Sequence, residues 1–233
     1  MKNLVILTGA GISAESGIRT FRDSDGLWEE YPVADVATPM AWNNNMELVL
    51  RFYNERRRQL ESSKPNAGHL GVAALEKYFN VHIITQNIDD LHERAGSSKV
   101  IHLHGQLTFA RSTRDHELLY NIGYKDIHEG DKCEKGSQLR PHIVWFGEAV
   151  PMMDEAVRIT EDADIFVVIG SSLAVYPAAG LVAYARQNIP LFLIDPKDVP
   201  LPPGRKVEVI KEKASRGVEV LTEKLLISLN LIL

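Results

Sequence analysis

The chain opens with a short apolar run that leads directly into a glycine-rich turn. Residues 4–7 are all apolar, and from Gly9 onward the order is Gly-x-Gly-x-x-Ala, with Gly11 and Ala14 in the later positions. Glycine can adopt positive φ and has no Cβ, so the backbone can turn tightly and approach a pyrophosphate closely. A small residue at Ala14 lets a following helix pack on the strand, with its N-terminus facing the phosphates. The sequence predicts a dinucleotide-binding turn, although similar turns also occur in chains that bind nothing.

The chain then departs from the pattern of a nicotinamide-dependent dehydrogenase. Such an enzyme has a second strand within about 30 residues, and that strand ends in an acidic residue for the adenosine ribose. Here residues 23–32 form a polar and aromatic segment, and the next comparable apolar run is residues 81–85. A long insertion therefore stands where a hydride-transfer enzyme would have its second strand, which counts against that class.

Short apolar runs recur along the chain with helical segments between them. Runs that are apolar at every position are typical of strands buried on both faces of a parallel sheet. The predicted strands are residues 4–8, 81–86, 99–103, 143–147, 165–169, 190–194 and 206–210. The predicted helices are residues 46–61, 68–79, 153–161, 178–187 and 217–229. The fold class is therefore α/β, with a Rossmann-like parallel sheet.

Two segments interrupt this alternation, residues 24–66 and 106–141, and both are richer in charge. We expect these two insertions to pack together as a smaller module over the end of the sheet where open α/β folds bind ligands. The Rossmann-like domain would then comprise residues 1–23, 67–105 and 142–233.

Composition excludes several classes of protein. The formal net charge of −5 argues against a nucleic-acid-binding coat, which needs a basic face. Cys133 is the single cysteine, so an internal disulfide is impossible and a reducing compartment is favoured. The N-terminal apolar run is too short for the core of a signal peptide, and no stretch approaches the roughly 20 apolar residues of a membrane span. We expect a cytoplasmic protein that does not bind membranes, and we expect it to be a monomer.

Five motifs together resemble those of the sirtuins, in order and in spacing. They are GAGISAESGIRTFR at residues 9–22, TQNID at 85–89, LHG at 103–105, VWFGE at 144–148 and GSS at 170–172. The resemblance covers nearly the whole chain and is greatest to the class III branch, the bacterial and mitochondrial deacylases. It implies an enzyme that consumes NAD to remove acyl groups from lysine side chains of proteins, with release of nicotinamide and O-acyl-ADP-ribose.

The resemblance also implies which residues carry the reaction. Gln86, Asn87 and Asp89 follow a strand end, where carboxamide and carboxylate groups suited to ribose and nicotinamide are displayed. A polar turn that caps the next helix is the simpler reading of the same residues. His104 matches the family's catalytic base, and an ordinary pKa near ~6.5 suits that role. His102, two residues earlier on the same strand face, is the alternative base.

Further NAD-binding residues are implied by the same motifs. They are Gly9, Ala10, Gly11, Ala14, Phe21, Arg22, Gln86, Asn87, Ile88, Asp89, Gly170, Ser171, Ser172, Asp195 and Ala214. Ser171 stands where the family more often has Thr. Asp195 stands where many sirtuins carry Asn, so a negative charge replaces an amide donor. Ala214 is a weak match because a single alanine makes a poor motif.

Substrate binding is implied for two regions. Residues 143–148 resemble the family's peptide-binding strand, with Val144, Phe146, Gly147 and Glu148 as substrate-binding residues; main-chain pairing there would tolerate many peptide sequences. Tyr53 and Arg56 match the Tyr-x-x-Arg of the class III branch, and a helix would put both on one face. An arginine fork and a phenol suit an acyl group that ends in a carboxylate, such as succinyl or malonyl. The alternative is that residues 55–58 form a solvated helix face.

The chain departs from the family in its second insertion. Many sirtuins hold this part with zinc bound by four cysteines, and Cys133 alone cannot form such a site. His116 and His128 have no zinc-like spacing relative to Cys133, so no metal is predicted, and ordinary packing should hold the insertion. Two other functions share the cofactor: a non-catalytic sensor of NAD or ADP-ribose, and a mono-ADP-ribosyltransferase. A base at His104 beside Asn87 and Asp89 argues against the sensor.

Overall fold

The computed structural model describes residues 1–18, 27–28, 31–200 and 204–230. The strands are β1 (Asn3–Thr8), β2 (Leu27–Trp28), β3 (Tyr31–Pro32), β4 (Asn80–Thr85), β5 (Val100–His102), β6 (Gly105–Ser112), β7 (Leu119–Asn121), β8 (Leu139–Ile143), β9 (Ile165–Ile169), β10 (Leu191–Ile194) and β11 (Glu208–Ile210). The α-helices are α1 (Val33–Val36), α2 (Pro39–Asn44), α3 (Met46–Ser62), α4 (Ala67–Ala74), α5 (Leu91–Arg94), α6 (Met153–Glu161), α7 (Leu181–Tyr184) and α8 (Ala214–Ser228).

A parallel sheet of six strands in the order β11-β10-β9-β1-β4-β5 forms the centre of the fold. In β1, Leu4 and Ile6 enter the apolar cluster that includes α4 and α8, whereas Val5 and Leu7 enter the cluster that includes α6 and α7. Successive side chains of a strand point to opposite faces, so a sheet covered on both sides needs apolar residues at every position. The predicted α/β class and its buried parallel sheet are confirmed.

The turn after β1 differs from the prediction. Two short 3-10 turns, Ala10–Ile12 and Ala14–Ser16, replace the predicted helix. Gly9 is extended, with φ of −123°, and Gly11 is not among the residues with positive φ, so that part of the prediction is wrong. Both positions need glycine for another reason. A Cβ on Gly9 would lie 2.7 Å from the Gly170 carbonyl oxygen, and one on Gly11 would lie 2.6 Å from the Gly170 Cα.

The loops after β1 and β9 are therefore joined by backbone contact. Gly11 N donates to the Gly170 carbonyl at 2.9 Å, and Gly9 N donates to the Ile169 carbonyl at 3.0 Å. Gly170 has φ of +62°, which glycine adopts at no steric cost. This close approach brings the carboxyl ends of two neighbouring strands onto one wall of the cavity described below.

A small antiparallel sheet, β7-β6-β8, packs against α3. Phe52 and Val49 of α3 share an apolar cluster with Leu107 and Ile143 of this sheet. Polar contacts reinforce it: the Asn54 side chain donates to the Ile127 carbonyl at 2.9 Å and accepts from the Ile127 N–H at 3.0 Å. The two insertions thus contact each other. The exact limits of the two domains stay a prediction.

Cys133 lies buried in a hairpin of the second insertion. Its Sγ is 3.5 Å from Ser112 Oγ, and its backbone N–H donates to the Ser137 carbonyl. His116 and His128 are both exposed. Among the residues that the structure describes, no three His, Cys, Asp or Glu side chains come together in a way that could hold a metal ion.

The predicted strand at residues 143–147 is wrong. β8 ends at Ile143 in the small sheet, and the following residues run as irregular backbone into a turn in which Glu148 N donates to the Trp145 carbonyl. The run is apolar because Ile143 and Trp145 are buried against α3. Residues buried in this way give the same apolar sequence pattern as a buried strand. The other six predicted strands are present to within two residues at each end, whereas β2, β3, β6 and β7 were not predicted.

Three of the five predicted helices, α3, α6 and α8, are present to within three residues at each end, whereas α1, α2 and α5 were not predicted. The helix predicted at residues 68–79 ends earlier, because α4 stops at Ala74 and a 3-10 turn, Leu75–Lys77, follows. Within residues 178–187 the structure has a 3-10 turn, Ala178–Gly180, followed by the short α7. In the described parts of the chain, no helix combines the length and the apolar character needed to cross a membrane.

Candidate active site

A cavity of about 520 Å³ lies at the carboxyl ends of the parallel strands, between the sheet and the two insertions. Ligands of open α/β sheets bind at this end. Most of the predicted site residues line it: Gly9, Ala10, Gly11, Ala14, Tyr53, Arg56, Gln86, Asn87, Ile88, Asp89, His104, Val144, Phe146, Gly147, Glu148, Gly170, Ser171, Ser172 and Asp195. Ala214 is not on the wall, where its neighbour Lys213 stands instead. Phe21 and Arg22 lie outside the described residues.

The hydrogen bonds of His104 and His102 distinguish the two candidate bases. His104 Nδ1 is 2.9 Å from the Gln86 carbonyl oxygen, which can only accept, so Nδ1 carries the proton and Nε2 is left as the basic nitrogen. Burial lowers the pKa of His104, although its bond to the Gln86 carbonyl partly opposes this. A neutral imidazole on the cavity wall is the form that a base requires. In His102, by contrast, both ring nitrogens face acceptors.

Ser13 joins the polar side chains beneath the cavity. Its hydroxyl donates to Asp89 Oδ2 at 2.9 Å and accepts from Asn87 Nδ2 at 3.1 Å. The His69 Nε2 lies 3.4 Å away from the same hydroxyl. Burial lowers the pKa of His69 to about 4, so this ring is neutral. The network fixes Asn87 and Asp89 relative to the glycine turn, where Asn87 Nδ2 also donates to the Gly9 carbonyl at 3.2 Å.

Asp89 is a buried carboxyl group whose ionisation is penalised. Its exposure is 5%, and burial raises its pKa to about 6, even though the Ser13 hydroxyl and the Leu91 N–H both donate to it. Donated hydrogen bonds favour the carboxylate, but here desolvation outweighs them. Strongly shifted carboxyl groups in clefts are common at functional sites.

The groups at the sheet end of the cavity fit a dinucleotide. Gln86 Nε2 donates to Ser171 Oγ at 2.9 Å, which links the ends of β4 and β9. No described residue accepts a hydrogen bond from the N–H groups of Ala10 and Ala14, and both residues face the cavity. Backbone N–H groups at a turn of this kind suit phosphate oxygens. Asp195, at the end of β10, provides a carboxylate that can accept from a ribose hydroxyl.

Tyr53 and Arg56 form the opposite end of the cavity. Both belong to α3 and line the same wall, as the helical spacing predicts. The Trp145 indole N–H donates to Tyr53 Oη at 3.0 Å, and burial raises the pKa of Tyr53 well above its ordinary value, so the phenol stays protonated. The Arg56 side chain is 13% exposed, and its guanidinium lies 4.6 Å from the centre of the Phe52 ring.

The alternative of a solvated helix face at residues 55–58 does not describe this helix. Arg57 is fully buried, and its Nε donates to the Leu107 carbonyl at 2.8 Å. Arg58 is the exposed member of the run, with an ion pair to Asp126 at 2.6 Å. The three consecutive arginines therefore serve three different purposes: Arg56 lines the cavity, Arg57 joins the two insertions, and Arg58 contacts solvent.

Glu148 lies on the cavity wall, and both oxygens of its carboxylate accept hydrogen bonds from neighbouring residues. Arg140 Nη1 donates to Oε1 at 2.7 Å, Arg111 Nη2 donates to the same oxygen at 3.2 Å, and the Trp145 N–H donates to Oε2 at 2.8 Å. Arg140 also stacks on the Trp145 ring, with 3.2 Å between Cζ and the ring centre. Burial acts to raise the pKa of Glu148, but its bonds to Arg140 and Trp145 lower it overall. Its carboxylate holds this loop in shape.

The backbone after β8 is also partly occupied. Val144 N donates to the His104 carbonyl and Phe146 N donates to the Ala37 carbonyl, at 2.9 and 3.0 Å. With the Trp145 N–H bound to Glu148, three successive N–H groups are already used. A substrate peptide that pairs here would have to use carbonyl oxygens or the backbone from Gly147 onward. Phe146 is 49% exposed at this edge.

Sequence reasoning missed several residues of the site. Ser13 lies within the first motif but was not singled out, and its role depends on Asn87 and Asp89, which only the fold brings to it. Trp145 lies within the fourth motif, and its indole N–H donates to Tyr53 of the first insertion. Lys197 and Lys213 also line the cavity. Single lysines carry no motif, so no signal in the sequence pointed to them.

Comparison with known proteins gives consistent matches. Residues 9–177 match the model of the Sir2 family. An NAD-dependent protein deacylase of Bacteroides thetaiotaomicron is 55% identical over 234 residues, covering 97% of this chain and 99% of that protein. A Sir2 homologue in complex with NAD is 41% identical with a TM-score of 0.88, covering 98% of this chain and 91% of that one. A Sir2 structure with a deacetylated p53 peptide and 3′-O-acetyl ADP ribose is 32% identical with a TM-score of 0.81, covering 95% and 92%.

Proposed function

The chain belongs to the Sir2 family, and we propose that it is an NAD-dependent protein deacylase that prefers lysine acyl groups ending in a carboxylate. The cofactor is NAD, which fits the glycine turn, the unpaired N–H groups and the polar strand ends of the cavity. The partners are proteins or peptides that carry acylated lysine, as the peptide bound in the related structure suggests. Release of nicotinamide and O-acyl-ADP-ribose follows from this reaction class.

Residues at different places in the cavity have different roles in the proposed reaction. Bound NAD would supply an electrophilic ribosyl carbon and a nicotinamide leaving group. His104, with Nδ1 held by the Gln86 carbonyl, offers Nε2 as the base that accepts a proton from a ribose hydroxyl. Asn87 and Asp89 are held by Ser13 at the same strand end, where they orient the ribose and the nicotinamide. Backbone near residues 144–148 would hold the peptide.

The acyl preference rests on one observation, which is the position of Arg56 on a mostly apolar wall beside Tyr53. Leu107, Ile143 and Trp145 share this end of the cavity. A carboxylate buried among such side chains is costly unless a cation and further donors pair with it. The planar fork of Arg56 matches a carboxylate with two hydrogen bonds. An acetyl group carries no charge, so it cannot form an ion pair with Arg56.

Tyr53 is suited to the same task. Its oxygen accepts a hydrogen bond from the Trp145 indole N–H, and a protonated phenol is also a hydrogen-bond donor. Protonation is secured because burial raises the pKa of Tyr53 far above neutrality. A phenol and a guanidinium on one helix face would together bind both oxygens of a short dicarboxylic acyl group.

The test is the release of nicotinamide from NAD with matched acetyl-, malonyl- and succinyl-lysine peptides of one sequence. We expect kcat/KM to be about tenfold or more higher for the malonyl or succinyl peptide, as one charge-assisted pair is worth roughly 1.5–3 kcal/mol. Acetyl-lysine turnover should persist at a lower rate. Equal values for all three peptides would refute the acyl preference, and no nicotinamide release with any of them would refute the deacylase.

A further inference from the structure

Arg140 is a residue of β8 that is 7% exposed and does not line the cavity. Its two terminal nitrogens donate to the two oxygens of the Glu148 carboxylate, Nη1 to Oε1 at 2.7 Å and Nη2 to Oε2 at 3.1 Å. Nη2 also donates to the Ile143 carbonyl at 2.9 Å. Paired bonds of this kind fix the plane of a guanidinium as well as its position.

The guanidinium of Arg140 lies on the indole ring of Trp145. Its Cζ is 3.2 Å from the centre of the ring, and a planar cation at such a distance is attracted to the face of an indole. The main chain of Trp145 is held by the same ion pair, because its N–H donates to Glu148 Oε2 at 2.8 Å. Arg140 and Glu148 therefore hold both the ring and the backbone of Trp145.

The indole N–H of Trp145 contacts the acyl end of the cavity, where it donates to Tyr53 Oη at 3.0 Å. A hydrogen bond weakens when its donor turns away from the acceptor, so this bond depends on the tilt of the indole plane. Both side chains are buried, and solvent therefore offers the indole no replacement for a weakened bond. The stack of Arg140 on the ring limits that tilt.

We propose that Arg140 is a positioning residue for the acyl preference: its stack on Trp145 orients the indole N–H and, through it, the Tyr53 hydroxyl that would bind the acyl carboxylate. The inference rests on the proposed deacylase and adds a residue of the small sheet that is not on the cavity wall. Arg111 provides a contrast within the same sheet. Its Nη2 donates to the Glu148 carboxylate at 3.2 and 3.3 Å, but of these two arginines it is Arg140 that lies on the Trp145 ring.

A lysine at position 140 would keep the charge but lose the geometry. An ammonium group is compact and strongly hydrated, and it has neither a plane that can stack on a ring nor a fork that matches a carboxylate. In Arg140→Lys an ion pair with Glu148 can persist, whereas Trp145 loses the group that limits its tilt. Arg111→Lys makes the same change at the same carboxylate and leaves the stack in place, so it is the matched control.

The first experiment is NMR of the indole N–H of Trp145, whose signal is assigned by its absence in Trp145→Phe. Tyr53→Phe removes the acceptor and should move the indole proton upfield. In the R140K background the same change should move it less than half as far, because the bond is already weakened there. This difference cancels the direct effect of the arginine charge on the signal. A full upfield shift in R140K, or an equally reduced one in R111K, would overturn the proposal.

The second experiment compares the two lysine variants on succinyl- and acetyl-lysine peptides of one sequence. In R140K, kcat/KM for the succinyl peptide should fall about threefold, as expected for a weakened hydrogen bond, and the loss should appear in KM. Acetyl-lysine turnover in R140K, and both activities in R111K, should stay close to those of the wild type. Equal losses on the two peptides in R140K, or a matching loss in R111K, would overturn the role in acyl preference.

A Glu148→Gln variant covers the case in which circular dichroism shows that R140K does not fold. The neutral amide no longer holds both ends of the Arg140 guanidinium, so the shift caused by Tyr53→Phe should again be reduced. A full shift in E148Q would overturn the proposal. Absent turnover in every protein, together with the expected NMR result, would refute the deacylase and support the positioning of Trp145 by Arg140.

Discussion

The two ends of the cavity are built by different means. At the cofactor end, backbone contacts between glycine turns and hydrogen bonds through Ser13 fix groups at the ends of parallel strands. At the acyl end, Tyr53 and Arg56 project from α3, which is joined to the small antiparallel sheet through Arg57 and Asn54. If the proposed function is right, the difference means that the chemistry and the acyl preference depend on separate parts of the molecule. A change at one end should therefore leave the work of the other intact.

The largest expected effect is a change at the cofactor end. His104→Ala removes the Nε2 base, and kcat with every acyl peptide should fall by about 1,000-fold, in the range of a lost general base. NAD binding should remain measurable by calorimetry, because the glycine turn and the strand ends that would hold the cofactor are untouched. Turnover within tenfold of the wild type would show that His104 is not the base.

The next effect should divide the substrates. Arg56→Met keeps an unbranched side chain similar to the arginine stem but removes the guanidinium, so kcat/KM for the succinyl peptide should fall by about 50-fold, consistent with the loss of a bidentate charged pair. Acetyl-lysine turnover should change less than threefold. Arg58→Met is the matched control, because Arg58 lies two residues later on α3 and its side chain is 54% exposed.

Equal losses on both substrates in R56M would break the comparison between the two ends. That outcome would mean that Arg56 supports the shape of the site as a whole. A loss in R58M as large as that in R56M would point to damage of α3 itself, which circular dichroism and thermal unfolding would register.

We expect the ionisation of Asp89, at the cofactor end, to lower the free energy of unfolding. Its folded pKa of about 6 is above the ordinary value of 3.8, so the folded protein binds a proton that the unfolded chain has lost between these pH values. Stability therefore falls as pH rises from about 4 to 6 and stays lower above pH 6. The difference of about two pH units corresponds to roughly 3 kcal/mol as an upper limit.

Asp89→Asn should remove this penalty. Urea unfolding at pH 8 should show a gain of about 1–2 kcal/mol over the wild type, since the amide carries no charge and its oxygen can still accept from the Leu91 N–H. The gain should vanish near pH 4, and turnover should fall. A variant that is less stable than the wild type at pH 8 would show that the carboxylate is well compensated.

The sequence predicted much of this architecture because the elements depend on local patterns. β9 and α6 begin and end at the predicted residues, since continuous apolar runs and helical periodicity identify such elements. The motifs and the Tyr53–Arg56 pair also located more than half of the residues that line the cavity. The errors arose where a residue responds to a distant partner. At Gly9 and Gly11 a Cβ would collide with Gly170, and the run at residues 143–147 is buried against α3.

The charged residues show the same limit. In the sequence, Arg57 has the pattern of a surface residue. In the fold, its guanidinium donates hydrogen bonds to the Leu107 carbonyl and to the Asn54 side chain. Glu148 matched a substrate-binding motif, yet Arg111 and Arg140 from the small sheet bind its carboxylate. A sequence shows that a side chain is charged, but its burial depends on partners that only the fold brings near.

The smallest expected effect concerns the Trp145 indole, which acts on the acyl end through Tyr53. Tyr53→Phe should lower kcat/KM for the succinyl peptide about fivefold, the value of one hydrogen bond of roughly 1 kcal/mol. Trp145→Phe keeps an aromatic ring under Arg140 but removes the donor at 3.0 Å, so the phenol is no longer oriented and a loss of about threefold is expected. Trp42→Phe is the matched control, because Trp42 packs 5.7 Å from the Trp145 ring in the same cluster.

The double variant decides whether the two residues act together. If Trp145 works by orienting the phenol, its loss should cost nothing further in a protein that already lacks the Tyr53 hydroxyl, and the two effects will not add. Additive losses would mean that Trp145 supports the cavity by packing alone. If kcat/KM fell as much for the acetyl-lysine peptide as for the succinyl-lysine peptide, the contact between Trp145 and Tyr53 would affect more than the acyl end. The two ends of the cavity would then not be independent of each other at Trp145.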